Sequence, residues 1–103
     1  MKNSEKTIKQ DCRIINQKGL HARAAAQIVT LCNQYQSLLT LTHKNKSASG
    51  LSLIKLLTLD APQGSNITIS IKGVDAESAS QAINQLFVNG FGELDELTSP
   101  RNK

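Results

Sequence analysis

Aromatic residues are scarce in this chain: there is no tryptophan, one tyrosine (Tyr35) and two phenylalanines (Phe87 and Phe91). A core must therefore come mainly from Leu, Ile, Val and Ala, within a hydrophobic content of 39%. The same scarcity leaves little for stacking on bases. Lysine and arginine are scattered rather than run together, so the net charge of +4 reads as solvated surface, not a nucleic-acid footprint. That charge suits docking to acidic protein partners. Cysteine occurs twice, at Cys12 and Cys32, without a CxxC or other metal spacing. Both sit in apolar patterns and read as reduced core residues. No apolar run approaches the about 20 residues of a membrane span. The opening "MKNSEKTIKQ" has no apolar stretch like that of a secretory leader. These absences predict a cytoplasmic protein with no membrane insertion and no nucleic-acid partner.

What is present is a clear alternation of strand and helix patterns over 103 residues, a length that fits one domain. Residues 8–14, "IKQDCRI", keep Ile8, Cys12 and Ile14 in phase and read as a first strand. "NQKG" breaks it. A helix follows at about 22–33, with Ala22, Ala25, Ala26, Val29 and Cys32 at the spacings of one buried stripe. "SLLTLTH" (37–43) alternates from Leu39, "HKNK" turns, and "KSAS" returns. Ser52 is placed to cap a short helix at about 53–59. "NITISIK" (66–72) alternates strictly through Ile67, Ile69 and Ile71. The last helix starts with Asp75 as its cap and buries Ala79, Ile83, Leu86 and Phe87. It runs to about 89, where Gly90 ends it.

The order β-α-β-β-α-β-α predicts an α+β open-faced sandwich: a four-stranded antiparallel sheet with three helices on one face. The domain is expected over 8–92, between a flexible N-terminus (1–7) and a polar C-terminal tail (93–103) that frays.

The stretch "NQKGLHARAAAQ" puts His21 at the start of the first helix. The unbonded N–H groups there disfavour an imidazolium and favour the neutral ring, the form able to act as a nucleophile. The N–H groups of Ala22 and Arg23 face the oxygens of any group attached to that ring, and the Arg23 guanidinium fits two of them. Gly19 lets the preceding backbone turn sharply and leaves the ring open. This chemistry suits transient attachment of a phosphoryl group to imidazole; the plainer reading is a histidine that merely caps a helix. The other histidine, His43, ends a strand beside a lysine-rich turn and reads as solvated surface. Neither has a second ligand at helical spacing, so no metal site and no cofactor are expected.

"GLHARAAAQ" resembles the active-site signature of the HPr family, the histidine phosphocarriers of the bacterial phosphotransferase system. The resemblance runs on through "KSASGLSLIKLLTLDAPQG" and "ITISIKG", covering roughly residues 8–90. It implies the HPr-like open-faced sandwich, a phosphohistidine at His21 and a supporting role for Arg23. The protein is then a carrier with a phosphohistidine intermediate rather than a free-standing turnover enzyme. The family commonly has proline after that arginine, where this chain has Ala24; alanine keeps helical geometry and adds a donor. Ser52 matches a serine that kinases phosphorylate in some lineages, and otherwise it is a plain N-cap. The stretch "LSLIKLL" carries more apolar residues than one face buries. The resemblance makes Leu51, Leu53, Ile54, Lys55 and Leu57 a docking patch for enzyme I and enzyme IIA.

Within the family, "KLLTLDAPQG" and "LFVNGFGE" look like the nitrogen-related carrier NPr, whereas "KSAS" and the lysine of "SLIK" look like sugar-transport HPr. The nitrogen-related branch is favoured, and a monomer is expected. A non-catalytic interaction module on the same fold is the alternative from another class; having both His21 and Arg23 argues against it.

Overall fold

The computed structural model describes residues 6–94. The chain forms β1 (Lys6–Arg13), α1 (Ala22–Cys32), β2 (Leu38–His43), β3 (Lys46–Ser49), α2 (Leu53–Thr58), β4 (Asn66–Gly73) and α3 (Ala76–Val88). A 3-10 turn follows at Gly90–Gly92. The strands make one antiparallel sheet in the order β1-β4-β2-β3, and the three helices cover one face of it, an open-faced sandwich.

Strict alternation places β4 at the centre. Ile67, Ile69 and Ile71 are fully buried, with Ile71 paired to Ile8 on one side and Leu39 on the other. The opposite face is polar: Thr68 donates to Asp11 at 2.9 Å, and the hydroxyls of Thr42 and Ser47 meet at 2.8 Å. β1 starts at Lys6, earlier than its apolar pattern suggests, because pairing with β4 continues to Gly73. The fraying expected of the tail lies outside the described residues from 95 onward.

Helix α1 is rotated relative to the expected stripe. Ala24, Ala25, Ile28 and Cys32 are buried, Ala22 and Ala26 are exposed, and Val29 is half-buried. Alanine carries too little apolar surface to set the phase of a helix; Ile28 carries much more, and burying it decides the rotation. Cys12 and Cys32 are free, buried thiols, with burial pushing Cys32 up to about 11.

His43 departs from its expected place on the surface. It is 8% exposed, and its Nδ1–H donates to the Leu59 carbonyl at 2.8 Å, tying the end of β2 to the end of α2. The alternation that buries Leu39 and Leu41 carries on to residue 43. Asp75 stands at the start of α3 but does not cap it. Its carboxylate accepts from the Ser37 hydroxyl and from the backbone N–H groups of Gln36 (2.8 Å) and Ser37 (2.9 Å). The Ser37 hydroxyl first, then the N–H of Gln36, hold the Asp75 carboxyl below its usual range.

The end of α3 matters most for the site. Gly90, Phe91 and Gly92 are three successive residues with φ of 59°, 56° and 76°. Phe91 tolerates a conformation that costs a non-glycine residue about 1 kcal/mol or more, because its ring is buried against Phe87, centroids 4.9 Å apart. The reversal carries Glu93 back toward the start of α1. Among the described residues no helix is long and apolar enough to cross a membrane.

Candidate functional site

The loop before α1 is strapped on both sides. Gly19 N–H donates to the Asn16 carbonyl at 3.1 Å, and Leu20 N–H to the Ala61 carbonyl at 2.9 Å. Gly19 has φ of 69°, and a Cβ there would stand 2.6 Å from the Ala61 oxygen, so glycine is required for conformation and space. His21 then leaves the loop in extended geometry as the N-cap of α1, its carbonyl accepting from Ala25 N–H at 2.9 Å.

The two ring nitrogens of His21 have different partners. Nδ1 accepts the Arg23 backbone N–H at 3.4 Å, which requires a lone pair on that nitrogen. Nε2 hydrogen-bonds the Glu93 carboxylate through Oε2. A carboxylate only accepts, so the proton of this bond sits on Nε2. The ring is thus held with a bare nitrogen toward the helix N-terminus and its N–H toward an acid. His21 keeps 26% of its side-chain surface exposed, whereas Glu93 keeps 5%.

Arg23 meets the same oxygen, with Nε at 3.3 Å and Nη2 at 3.1 Å from Glu93 Oε2. The other oxygen, Oε1, accepts from Asn16 Nδ2 at 2.9 Å, and that amide also donates to the Gly19 carbonyl at 2.8 Å. Burial raises the Glu93 carboxyl, but hydrogen bonds from Asn16, His21 and Arg23 together outweigh it and hold the acid below its usual range. Asn16 spends both amide hydrogens here and leaves its Oδ1 buried with no hydrogen-bond partner among the described residues. Such an orphan costs about 1–3 kcal/mol, which is offset by the charge-assisted bond to Glu93.

Glu93 opens the stretch expected to be a polar tail and Asn16 opens the "NQKG" break, so sequence reasoning misses both. The signal for Glu93 was a buried aromatic between two glycines immediately before an acid, "GFGE". Of the residues expected at the site, His21, Ala22 and Arg23 occupy the cap and the first two positions of α1, with Ala22 exposed. Ala24, the next residue of the helix, is fully buried.

Helix α2 packs against α1. Ser52 caps it, its Oγ accepting Lys55 N–H at 3.3 Å. Leu56 points into the core, and Leu57 is half-buried. Leu51, Leu53 and Ile54 are 51%, 38% and 71% exposed, and Lys55 is exposed beside them. Together they form an exposed apolar group on one side of the short helix. Among the described residues no group of three His, Cys, Asp or Glu side chains is placed to hold a metal ion.

A histidine capping a helix, with an arginine two residues on and an open-faced sandwich behind it, defines a class of small phosphocarrier domains. Comparison with known proteins agrees: the family described as "PTS HPr component phosphorylation site" matches residues 8–89. The phosphocarrier protein HPr of Xylella fastidiosa is 36% identical over 86 residues, 84% of this chain and 97% of its own length. The phosphocarrier protein NPr of Proteus mirabilis is 43% identical over 81 residues, 78% of this chain and 90% of its own. Among solved structures, an HPr from Thermoanaerobacter tengcongensis superposes with a TM-score of 0.79 at 31% identity, covering 84% of this chain and 97% of that one. The chain belongs to the HPr family of phosphotransferase-system phosphocarriers, whose members carry the names HPr and NPr.

Proposed function

We propose that His21 accepts a phosphoryl group on Nδ1 from phosphorylated enzyme I, supplied ultimately by phosphoenolpyruvate, and donates it to an enzyme IIA. The observation that carries this reading is the pairing of a bare Nδ1 at the start of α1 with an Nε2–H held by Glu93. The Nδ1 lone pair forms the bond to phosphorus as the bond from phosphorus to the donor breaks, and that electron pair stays with the donor. Onward transfer is the reverse step with a new acceptor. Such transfer needs mainly positioning and charge stabilisation. The first-turn N–H groups and the Arg23 guanidinium supply the stabilisation.

Both partners must present their reacting group to His21, so both cover the same surface. The exposed part of α2, from Leu51 to Lys55 with the edge of Leu57, supplies its apolar centre. In this reading the carrier works as a cytoplasmic monomer with transient partners. A phosphoryl group on Ser52 would lie at the helix start and add negative charge to that surface.

The nitrogen-related relay is the favoured branch. "KLLTLDAPQG" and "LFVNGFGE" support it. The sugar-transport branch is the second reading, supported by "KSAS" and by Lys55; identity favours neither, at 43% over 81 residues to an NPr and 46% over 70 to an HPr. Incubation with phosphoenolpyruvate, enzyme I and each type of enzyme IIA tests function and branch together. The reading expects an acid-labile, alkali-stable phosphate on the carrier that drains faster to the nitrogen-related acceptor. No label in the presence of active enzyme I contradicts the function; faster drainage to a sugar-specific acceptor contradicts the branch.

A further inference from the structure

Glu93 stands in electrostatic conflict with a phosphate-accepting histidine, since its negative charge repels the incoming phosphoryl group. Yet the fold goes to some length to put it there. Three successive left-handed residues aim it inward, Asn16 tethers Oε1, and Oε2 reaches both His21 and Arg23. Its position relative to the ring resolves the conflict. The carboxylate lies on the Nε2 side, whereas the lone pair that would attack phosphorus lies on Nδ1, facing the Arg23 N–H.

We propose that Glu93 is a positioning residue: by accepting the Nε2 proton it holds His21 in the one neutral tautomer whose lone pair is on Nδ1, and so directs phosphoryl transfer to that nitrogen. The inference rests on the phosphocarrier reading for its consequence, although the tautomer itself is a property of the free protein. Without an acceptor at Nε2 the ring has two neutral tautomers and can turn about its side-chain bonds, and only part of the population presents Nδ1. With the carboxylate in place the ring orientation and tautomer are set before any partner arrives. After transfer, Nδ1 carries phosphorus, Nε2 keeps its proton, and the positive charge on the ring lies against Glu93.

Asn16 completes the device. Its amide holds the carboxylate from behind and is itself pinned by the Gly19 carbonyl, so the strap before α1 and the turn after α3 are joined through Glu93. The loop after β1 and the turn after α3 meet beside the histidine.

The test is nitrogen-15 NMR of the His21 ring at a pH where it is neutral, on the unaltered protein and on Glu93→Met, which keeps the side-chain bulk and removes both acceptors. The proposal expects the unaltered ring to carry its proton on Nε2 alone, and the variant to populate both tautomers. Phosphoryl uptake from enzyme I should slow roughly 10–100-fold in Glu93→Met, the scale for a group that orients an imidazole from behind. Part of the phosphate should then appear on Nε2. Glu93→Gln, with one acceptor oxygen, should recover part of both losses. A proton on Nδ1 in the unaltered protein overturns the proposal whether or not the variants fold. So does a folded Glu93→Met with an unchanged tautomer and unchanged uptake. If the unaltered protein takes no phosphate, the phosphocarrier reading fails, and the tautomer measurement still decides the role of Glu93.

Discussion

Glu93 and His21 stand 72 positions apart in the chain, and their side chains share a hydrogen bond from Nε2 to Oε2. The bond joins the residue just past the last helix to the cap of the first. It also places a nearly buried carboxylate under a partly exposed ring and a half-exposed arginine. The behaviour of the site under substitution and acid follows from that arrangement.

Arg23→Ala should slow phosphoryl transfer by about 10–1000-fold, the scale of one or two charge-assisted hydrogen bonds. The side chain is 51% exposed, so the domain should stay folded. Stopped-flow exchange with enzyme I in both directions, alongside a thermal melt, checks this. Unchanged exchange would remove Arg23 from the reaction.

Acid should loosen the turn after α3 before it unfolds the sheet. The Glu93 carboxyl is held below its usual range, so its folded-state bonds stabilise the protein fully above the ordinary carboxylate pKa. That contribution is lost as pH falls from there through the lower, folded value. Asp75, held low by Ser37, acts in the same direction. In Glu93→Gln the melting temperature should fall less steeply with acidification below about pH 4.5. Parallel pH profiles for the two proteins would contradict the assignment.

Much of this architecture was legible beforehand. The strands declared themselves because Ile67, Ile69 and Ile71 alternate without interruption, and "GLHAR" singles out the candidate site by residue type and spacing. The phase of α1 was harder to read because four of its first five residues are alanines and the fifth is Arg23. Ile28 settled it only through three-dimensional packing. His43 was misplaced by weighing its polar neighbours above its position in the alternation. Glu93 was hidden for a different reason. Its place depends on successive left-handed residues, including Phe91, and no local propensity favours a phenylalanine there.

His43 should matter for stability and not for phosphoryl transfer. Replacing it with alanine removes a buried ring and leaves the Leu59 carbonyl unpaired, at a cost of about 1–3 kcal/mol. Denaturant titration should record that loss while phosphoryl uptake by the folded protein stays within about twofold, less than 0.5 kcal/mol in the barrier. A large loss of uptake would tie the end of α2 to the reaction.

Ile54 and Leu56 lie two residues apart with opposite expected phenotypes. Ile54→Glu should leave stability unchanged, since the side chain is 71% exposed, and weaken enzyme I and enzyme IIA alike by about 1–3 kcal/mol. Leu56→Ala should destabilise the domain by about 2–5 kcal/mol, because Leu56 is fully buried. Ser52→Asp should weaken both partners more mildly than Ile54→Glu. NMR titrations with each partner check the shared surface; shift changes confined to the open face of the sheet would contradict it.

Locating the phosphate itself decides whether His21 is the carrier residue. The protein is incubated with phosphoenolpyruvate and enzyme I, and the adduct is read by phosphorus-31 NMR with through-bond correlation to the imidazole protons, beside His21→Ala. A single phosphoramidate on Nδ1 of His21 is expected, with no acid-labile phosphate on the variant. Phosphate on another residue, or an acid-labile adduct that persists in His21→Ala, would contradict it.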